Sequence, residues 1–302
     1  MKIHLFGAST PTGDYFKKFA VSKLSDLNII CYSSRYDPLN SDVVFLDLSS
    51  NSSQNLVVSP EEPNVIVSFV PLWLLIDFLK REFQYASSWL SNIAAVIVCS
   101  SSSVLAKRFS FNTSDRLLIS TLKQSEEDLS SICSQLNIPL MILQPSLIYG
   151  VSEHFQDRNL TILIKLMRLF PFLPLPANSG LRQPIHASQL ASVAVEMISK
   201  FYNSNWDPSL SESLILGGDS TISYESMIRL LQHALPNNDS ARQCRLLLIP
   251  NRIFFLLAIP LLFVSPKKFE AVVRMCSNLS GYSSVSKILR TDSLSFPVSP
   301  FI

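Results

Sequence analysis

Glycine is scarce in this chain, with seven residues in 302. Charge is scarce as well: Asp, Glu, Lys and Arg make up 16%, against about 25% in an average soluble protein. A surface so poor in charge is rich in Ser, Asn and Gln, or is partly covered by a partner or a membrane. The five cysteines (Cys31, Cys99, Cys133, Cys244 and Cys276) include no C-x-x-C pair, which removes the usual redox and zinc spacings. No metal ligands are assigned. The net charge is +2 with the basic residues scattered, so no nucleic-acid-binding stripe is present. The longest apolar run, residues 253–264, is twelve long and contains Pro260. About twenty apolar residues are needed to span a bilayer as a helix. The run reads as a buried or interface-covering helix, and a peripheral membrane or protein contact through 253–264 is the alternative. The first six residues already read as a strand, which leaves no room for a leader, so a cytoplasmic protein is expected.

Two of the seven glycines fall in the first thirteen residues: Met1-Lys2-Ile3-His4-Leu5-Phe6-Gly7-Ala8-Ser9-Thr10-Pro11-Thr12-Gly13. A short apolar strand enters a turn with glycines six apart, and a helical pattern follows. That is the layout of a dinucleotide-binding strand–loop–helix unit. Further apolar runs at 28–32, 43–46, 64–69, 94–99 and 139–143 lack strict alternation, the pattern of strands buried on both faces. Helical stretches at 72–83 and 115–135 separate them. Right-handed crossovers between such strands build a doubly wound sheet. The expected fold is therefore α/β: a Rossmann-like parallel sheet over residues 1–150. A smaller C-terminal α/β lobe over 151–302 follows, and strands of the lobe return to the main sheet in one version of this reading. A strand at 214–216, a Gly217-Gly218 turn and a helix at 224–235 belong to the second part.

The order of motifs resembles the extended short-chain dehydrogenase/reductases, in the NAD-dependent epimerase/dehydratase group that acts on nucleotide sugars. Residues 7–13 match the cofactor loop. Val98-Cys99-Ser100-Ser101-Ser102-Ser103 is similar to the strand leading to the catalytic centre. Leu143-Gln144-Pro145-Ser146-Leu147-Ile148-Tyr149-Gly150 is similar to an "LRPxxIYG" segment. Residues 180–191, from Gly180-Leu181-Arg182-Gln183-Pro184-Ile185-His186 onward, are similar to a substrate-lobe segment. The departures are as informative. Lys123 falls where the lysine of the family's Tyr-x-x-x-Lys pair stands, with Glu126 after it, but the tyrosine position is Ile119. Thr10 replaces the middle glycine of the loop, and Gln144 replaces the arginine of the "RP" pair.

The resemblance implies roles for particular residues. Gly7, Ser9, Thr10, Thr12 and Gly13 would receive the pyrophosphate of NAD(P) at the helix N-terminus. Thr10 either blocks the closest approach or donates its hydroxyl. Arg35 suits a 2′-phosphate and so favours NADP over NAD. Asp47 would accept from adenine, or simply close a strand-end turn. Pro71 lines the same crevice. Ser101 and Ser102 would orient a substrate oxygen, and Lys123 would hold the ribose. Ser103, Tyr149, Arg158, Asn159 and Arg182 would face a nucleotide-sugar-like molecule, with Arg182 suited to its diphosphate. His186 reads as a packed, hydrogen-bonded residue. Isoleucine cannot transfer a proton, so catalysis would need another acid or base, with Lys107 and Tyr149 as candidates. The expected function is an NAD(P)-binding epimerase or dehydratase relative, altered in its catalytic centre. The alternative is a non-catalytic NAD(P)-binding scaffold or sensor. A homodimer is open under both.

Overall fold

Four runs of the first half, at 2–6, 64–68, 93–99 and 140–145, place apolar residues on alternate faces of one sheet. Leu5, Val67, Ile97, Met141 and Leu143 point to one side, and Phe6, Ile66, Val96, Val98 and Ile142 to the other. Both sides are buried, which explains why no polar alternation is visible in the sequence. In the computed structural model, which describes residues 1–24, 27–34, 43–50, 56, 58, 60–85, 87–106, 110 and 112–301, the strands and helices follow in this order. The first half holds β1 (Lys2–Phe6), α1 (Pro11–Lys23), β2 (Asn28–Ser33), β3 (Val43–Phe45), β4 (Asn64–Ser68), α2 (Leu72–Gln84), β5 (Ile93–Cys99), α3 (Ser103–Ala106), α4 (Thr113–Gln135), β6 (Leu140–Pro145) and β7 (Ile148–Tyr149). The second holds α5 (Asn159–Leu169), β8 (Phe172–Pro176), β9 (Leu181–Arg182), β10 (Ile185–His186), α6 (Ala187–Asn203), β11 (Glu212–Gly217), β12 (Ile222–Ser223), α7 (Tyr224–Ala234), β13 (Arg245–Ile249), α8 (Asn251–Val264), α9 (Pro266–Val273), β14 (Ser283–Ser284) and α10 (Val285–Leu289).

The main sheet has eight strands in the order β14-β11-β6-β5-β4-β1-β2-β3, and every neighbouring pair is parallel. It is the Rossmann-like doubly wound sheet expected from the sequence. The order reverses between β1 and β4, which opens a crevice beyond their carboxyl ends. β11 and β14 lie beyond residue 150 and extend this same sheet. α1 and α6 cover one face and α2 and α4 the other. α6 is a substantial element that the sequence reading did not resolve. It buries ten of its seventeen residues, including Leu190, Ala194, Ile198 and Phe201.

A third cluster forms the core of the smaller lobe: Tyr149, Leu160, Ile164, Met167, Met227, Ile228 and Leu231, closed by Phe296 and Phe301 from the C-terminal tail. Two-stranded pairings β7–β10, β9–β12 and β8–β13 frame it.

The turn after β1 shows why glycine is retained there. Gly7 has φ +89°, and a Cβ on it would meet the Phe69 backbone at 3.0 Å. A Cβ on Gly13 would lie 2.2 Å from the Gly7 carbonyl oxygen, a rigid backbone atom. Gly13→Ala is expected to destabilise the fold by about 3 kcal/mol, the upper end of overpacking costs. The check is the midpoint of urea unfolding.

Candidate functional site

The first candidate region is the crevice at β1 and β4. α1 begins at Pro11, and Thr10 is its N-cap. The Thr10 hydroxyl donates to the Gly7 carbonyl at 2.7 Å and accepts from the Gly13 N–H at 3.1 Å. Proline supplies no N–H at the first helical position, and the Thr10 N–H donates to Gly7 O at 3.1 Å. The first turn is thus largely satisfied from within. Buried Thr12 and exposed Ser9 remain beside it. Asp14, also in that first turn, is buried, and its Oδ2 has no hydrogen-bond partner. Its carboxylate already sits in the favourable field of the helix N-terminus. Across the crevice, the Ser68 hydroxyl at the end of β4 is buried without a partner, and Pro71 begins α2 as its N-cap residue. Asp47 closes its own turn: its Oδ1 accepts from Ser49 N (2.9 Å) and Ser49 Oγ (2.7 Å). These two bonds hold its carboxyl below the usual range. Arg35 and Lys107 lie outside the described residues.

The second region is the ends of β5 and β6. Ser101 caps α3, with its Oγ accepting from Ser103 N at 3.1 Å and meeting Ser103 Oγ at 2.9 Å. Ser100 Oγ donates to Glu126 Oε1 at 2.5 Å, and Gln144 Nε2 donates to both Glu126 oxygens at 2.8 and 2.9 Å. Glu126 therefore marks the face of α4 turned to the strand ends. Leu122 and Ile119, one and two turns earlier, are buried on that side. Lys123 is exposed and is not brought to the serines. Tyr282, just before β14, is the tyrosine placed close enough to Ser102 for the serine to act on its ionisation. Burial raises the Tyr282 pKa, while nearby Ser102 and the Arg182 charge oppose the rise. No spacing rule points to this pair, because its members are far apart in sequence and meet only when β14 joins the sheet.

The third region is the smaller lobe, where geometry corrects the expected ligand roles. Arg182 is buried, and it donates to the carbonyls of Leu181 (2.7 Å), Ser277 (2.5 Å) and Arg274 (2.5 Å). Its guanidinium also lies over the Tyr224 ring at 5.2 Å. These contacts clamp the 274–277 turn and leave the group no free fork for a diphosphate. Tyr149 is equally committed. It is 1% exposed, its hydroxyl accepts from Val298 N at 2.9 Å, and burial pushes its pKa up, which places it in the core of the smaller lobe. Arg158 and Asn159 are exposed at the start of α5, where Asn159 Nδ2 donates to the Ile148 carbonyl at 3.2 Å.

His186 is fully buried and caps α6. Its Nε2 lies 2.9 Å from the Pro300 carbonyl, which can only accept, so Nε2 carries the proton. Nδ1 then accepts from Ser188 N at 3.2 Å.

No family model matches the sequence, and no curated protein matches it. Solved structures do match. The UDP-N-acetylglucosamine 4-epimerase of Bacillus cereus superposes with a TM-score of 0.58 at 13% identity, covering 97% of this chain and 94% of that one. A nucleoside-diphosphate-sugar epimerase of Staphylococcus aureus gives 0.58 at 15% identity, covering 98% of each. The UDP-glucuronic acid 4-epimerase of Bacillus cereus, in complex with UDP-glucuronic acid and NAD, gives 0.56 at 15%, covering 96% and 97%. This chain has the fold of these structures, a Rossmann-like parallel sheet flanked by helices with a smaller second lobe.

Burial holds the His186 pKa below 6.5, and His4, packed between Tyr32 and Asn64, is lowered for the same reason. The unfolded chain therefore takes up protons that the folded chain resists. Stability is full at neutral pH and is lost as pH falls from about 6.5. Urea midpoints at pH 7.5 and 5.5 should show this loss. His186→Asn, which retains a capping side chain, should show a smaller one.

Proposed function

We propose that the chain binds a nicotinamide dinucleotide in the crevice between β1 and β4, and a nucleotide-sugar-like molecule beside it at the ends of β5 and β6. The observation that carries this reading is the Gly7–Gly13 cradle at the point where strand order reverses. The two glycines let α1 start directly against the exit of β1, since the Gly7 carbonyl and the Phe69 backbone occupy the space their side chains would need. This sets the N-terminus of α1 at the crevice, and the unpartnered Ser68 hydroxyl adds a donor on the facing strand end. The residues fit such a cofactor in shape, with fewer free N–H donors than an all-glycine loop presents. Gly7, Gly13, Thr12 and Ser9 would hold the pyrophosphate, and Arg35 would read a 2′-phosphate, favouring NADP. When bound, the nicotinamide supplies a site that takes up and returns hydride. Structures of the same fold crystallised with NAD and UDP-glucuronic acid, or with NAD and UDP-glucose, support the choice of ligands.

For chemistry, Ser102 orients a substrate hydroxyl and Tyr282 moves its proton, in place of the tyrosine that α4 lacks. The protein then acts as a cytoplasmic epimerase or dehydratase with a rebuilt acid–base centre. The second reading, a non-catalytic NAD(P)-binding scaffold or sensor, is favoured by the buried Ile119 and exposed Lys123. Turnover separates the two. In the first reading Tyr282→Phe lowers kcat on UDP- or GDP-sugars by about 10²-fold or more, the scale of general acid–base catalysis, with dinucleotide affinity unchanged. Binding without any turnover of the wild type establishes the second.

Calorimetric titration with NAD and NADP tests the shared premise. Thr10→Gly frees the Gly13 N–H at a cost of only a few tenths of a kcal/mol to the helix cap, and is expected to tighten binding about tenfold, the worth of one charge-assisted hydrogen bond. If neither wild type nor Thr10→Gly binds either dinucleotide, the reading fails.

A further inference from the structure

α8 presents apolar side chains to solvent on most of its circumference. Only Phe254 and Ala258 are buried, while Leu256 is 64% exposed, Leu257 63%, Phe263 83% and Val264 80%. No polar side chain occurs from Ile253 to Val264. A protein interface combines an apolar centre with hydrogen-bonding groups, about one bond per 100–200 Å², and this helix offers none. The charge around it is one-sided. From Arg245 to Phe269 the chain holds Arg245, Arg252, Lys267 and Lys268 and no acid, and all four cations are exposed. The next acid, Glu270, is turned inward: it accepts from Asn112 N at 2.6 Å and also binds Ser110 and Arg274. Fourteen helical residues extend about 21 Å, short of a hydrocarbon core of about 30 Å. Among the described residues, no helix is long and apolar enough to cross a membrane.

We infer that α8 lies in the surface of an anionic lipid bilayer. Leu256, Leu257 and Phe263 enter the acyl boundary, and Arg252, Lys267 and Lys268 meet the headgroups from the two ends of the helix. Binding of this kind grows with the apolar area buried at the acyl boundary and with the attraction of flanking cations to anionic headgroups, and α8 and its neighbours supply both although the helix has no polar face of its own. The inference is independent of what the crevice binds.

Flotation of the full chain with phosphatidylglycerol-containing vesicles, against pure phosphatidylcholine vesicles, tests it at low and high salt. Binding to the anionic vesicles and its weakening by salt are expected. Lys267→Glu with Lys268→Glu should lower partitioning about tenfold or more, since each basic residue near such a surface contributes about fivefold. Leu256→Asp with Phe263→Asp should abolish it. These positions are exposed, so the variants should retain the wild-type circular dichroism and Tm. In a Phe263→Trp variant, tryptophan emission should shift to the blue on vesicle addition and be quenched by brominated lipid. Wild type that stays with the unbound fraction overturns the inference, as does binding indifferent to both double variants. A concentration-dependent dimer broken by Leu256→Asp, without vesicle binding, assigns the face to a second copy of the chain instead.

Discussion

The contact on which the architecture rests is that of Gly13 against the Gly7 carbonyl. With no Cβ between them, α1 starts directly on the exit of β1 and runs back along the sheet. Phe16 and Ala20 then fall into the same core as Leu5, Val67 and Ile97. That placement provides the surface on which α6 packs, and α6 in turn covers the strands that β11 and β14 add. The same closeness has a chemical consequence. Thr10 sits within reach of both Gly7 O and Gly13 N and bridges them, and Pro11 removes another donor. The loop becomes self-sufficient. The positive end of α1 is partly satisfied by a hydroxyl and a buried carboxylate, so it offers an anion fewer free donors than a loop with glycine at residue 10 would.

The smaller lobe follows the same logic. Its polar side chains with the strongest recognition chemistry are the ones that tie distant segments together. Arg182 satisfies three backbone carbonyls, two of them in the 274–277 turn, and His186 and Tyr149 hold the tail at Pro300 and Val298. A buried polar group must find a partner or carry the full cost of desolvation. The irregular C-terminal tail, with few backbone bonds of its own, supplies carbonyls and N–H groups that need partners. Arginine, histidine and tyrosine are suited to that task for the same reasons that suit them to ligands: several donors, a directional ring, a long reach.

This duality marks where sequence reasoning was sufficient. The strands of the main sheet were legible because burial on both faces writes continuous apolar runs, and their bounds agree with the structure to within two residues. α6 was overlooked although its stripe is present, with Ser188, Ser192, Glu196, Lys200 and Asn203 outside and Leu190, Ala194, Ile198 and Phe201 inside; the segment was absorbed into a motif match and its periodicity left unread. β14 is two residues long and exists only through pairing with β11. At the site, the glycines of the loop were legible from backbone need, and His186 was legible as a packed residue. Asp47 took its alternative reading and closed a turn. For Arg182 and Tyr149 the pattern suggested a ligand while the structure shows backbone partners, since a one-dimensional pattern does not distinguish a group aimed at a ligand from one aimed at a distant peptide group. Tyr282 was missed because its partner Ser102 is defined by topology alone.

The apolar helix and the candidate site are not separate regions of the molecule. α9 continues from α8, and its Glu270 holds the N–H of Asn112, the N-cap of α4. Arg274, one residue beyond α9, pairs with Asp115 at 2.7 Å in the first turn of α4, and its carbonyl receives Arg182. Asp115 is 2% exposed, and separating a pair buried on one side leaves an uncompensated charge, at a cost of about 3–5 kcal/mol. The α8–α9 unit therefore cannot pivot freely on the body of the protein. It is pinned to the first turn of α4 and, through Arg182, to β9. The low charge of the sequence reflects this arrangement: with an apolar helix outside and the stronger side chains turned inward as clamps, few ionic groups remain for the surface.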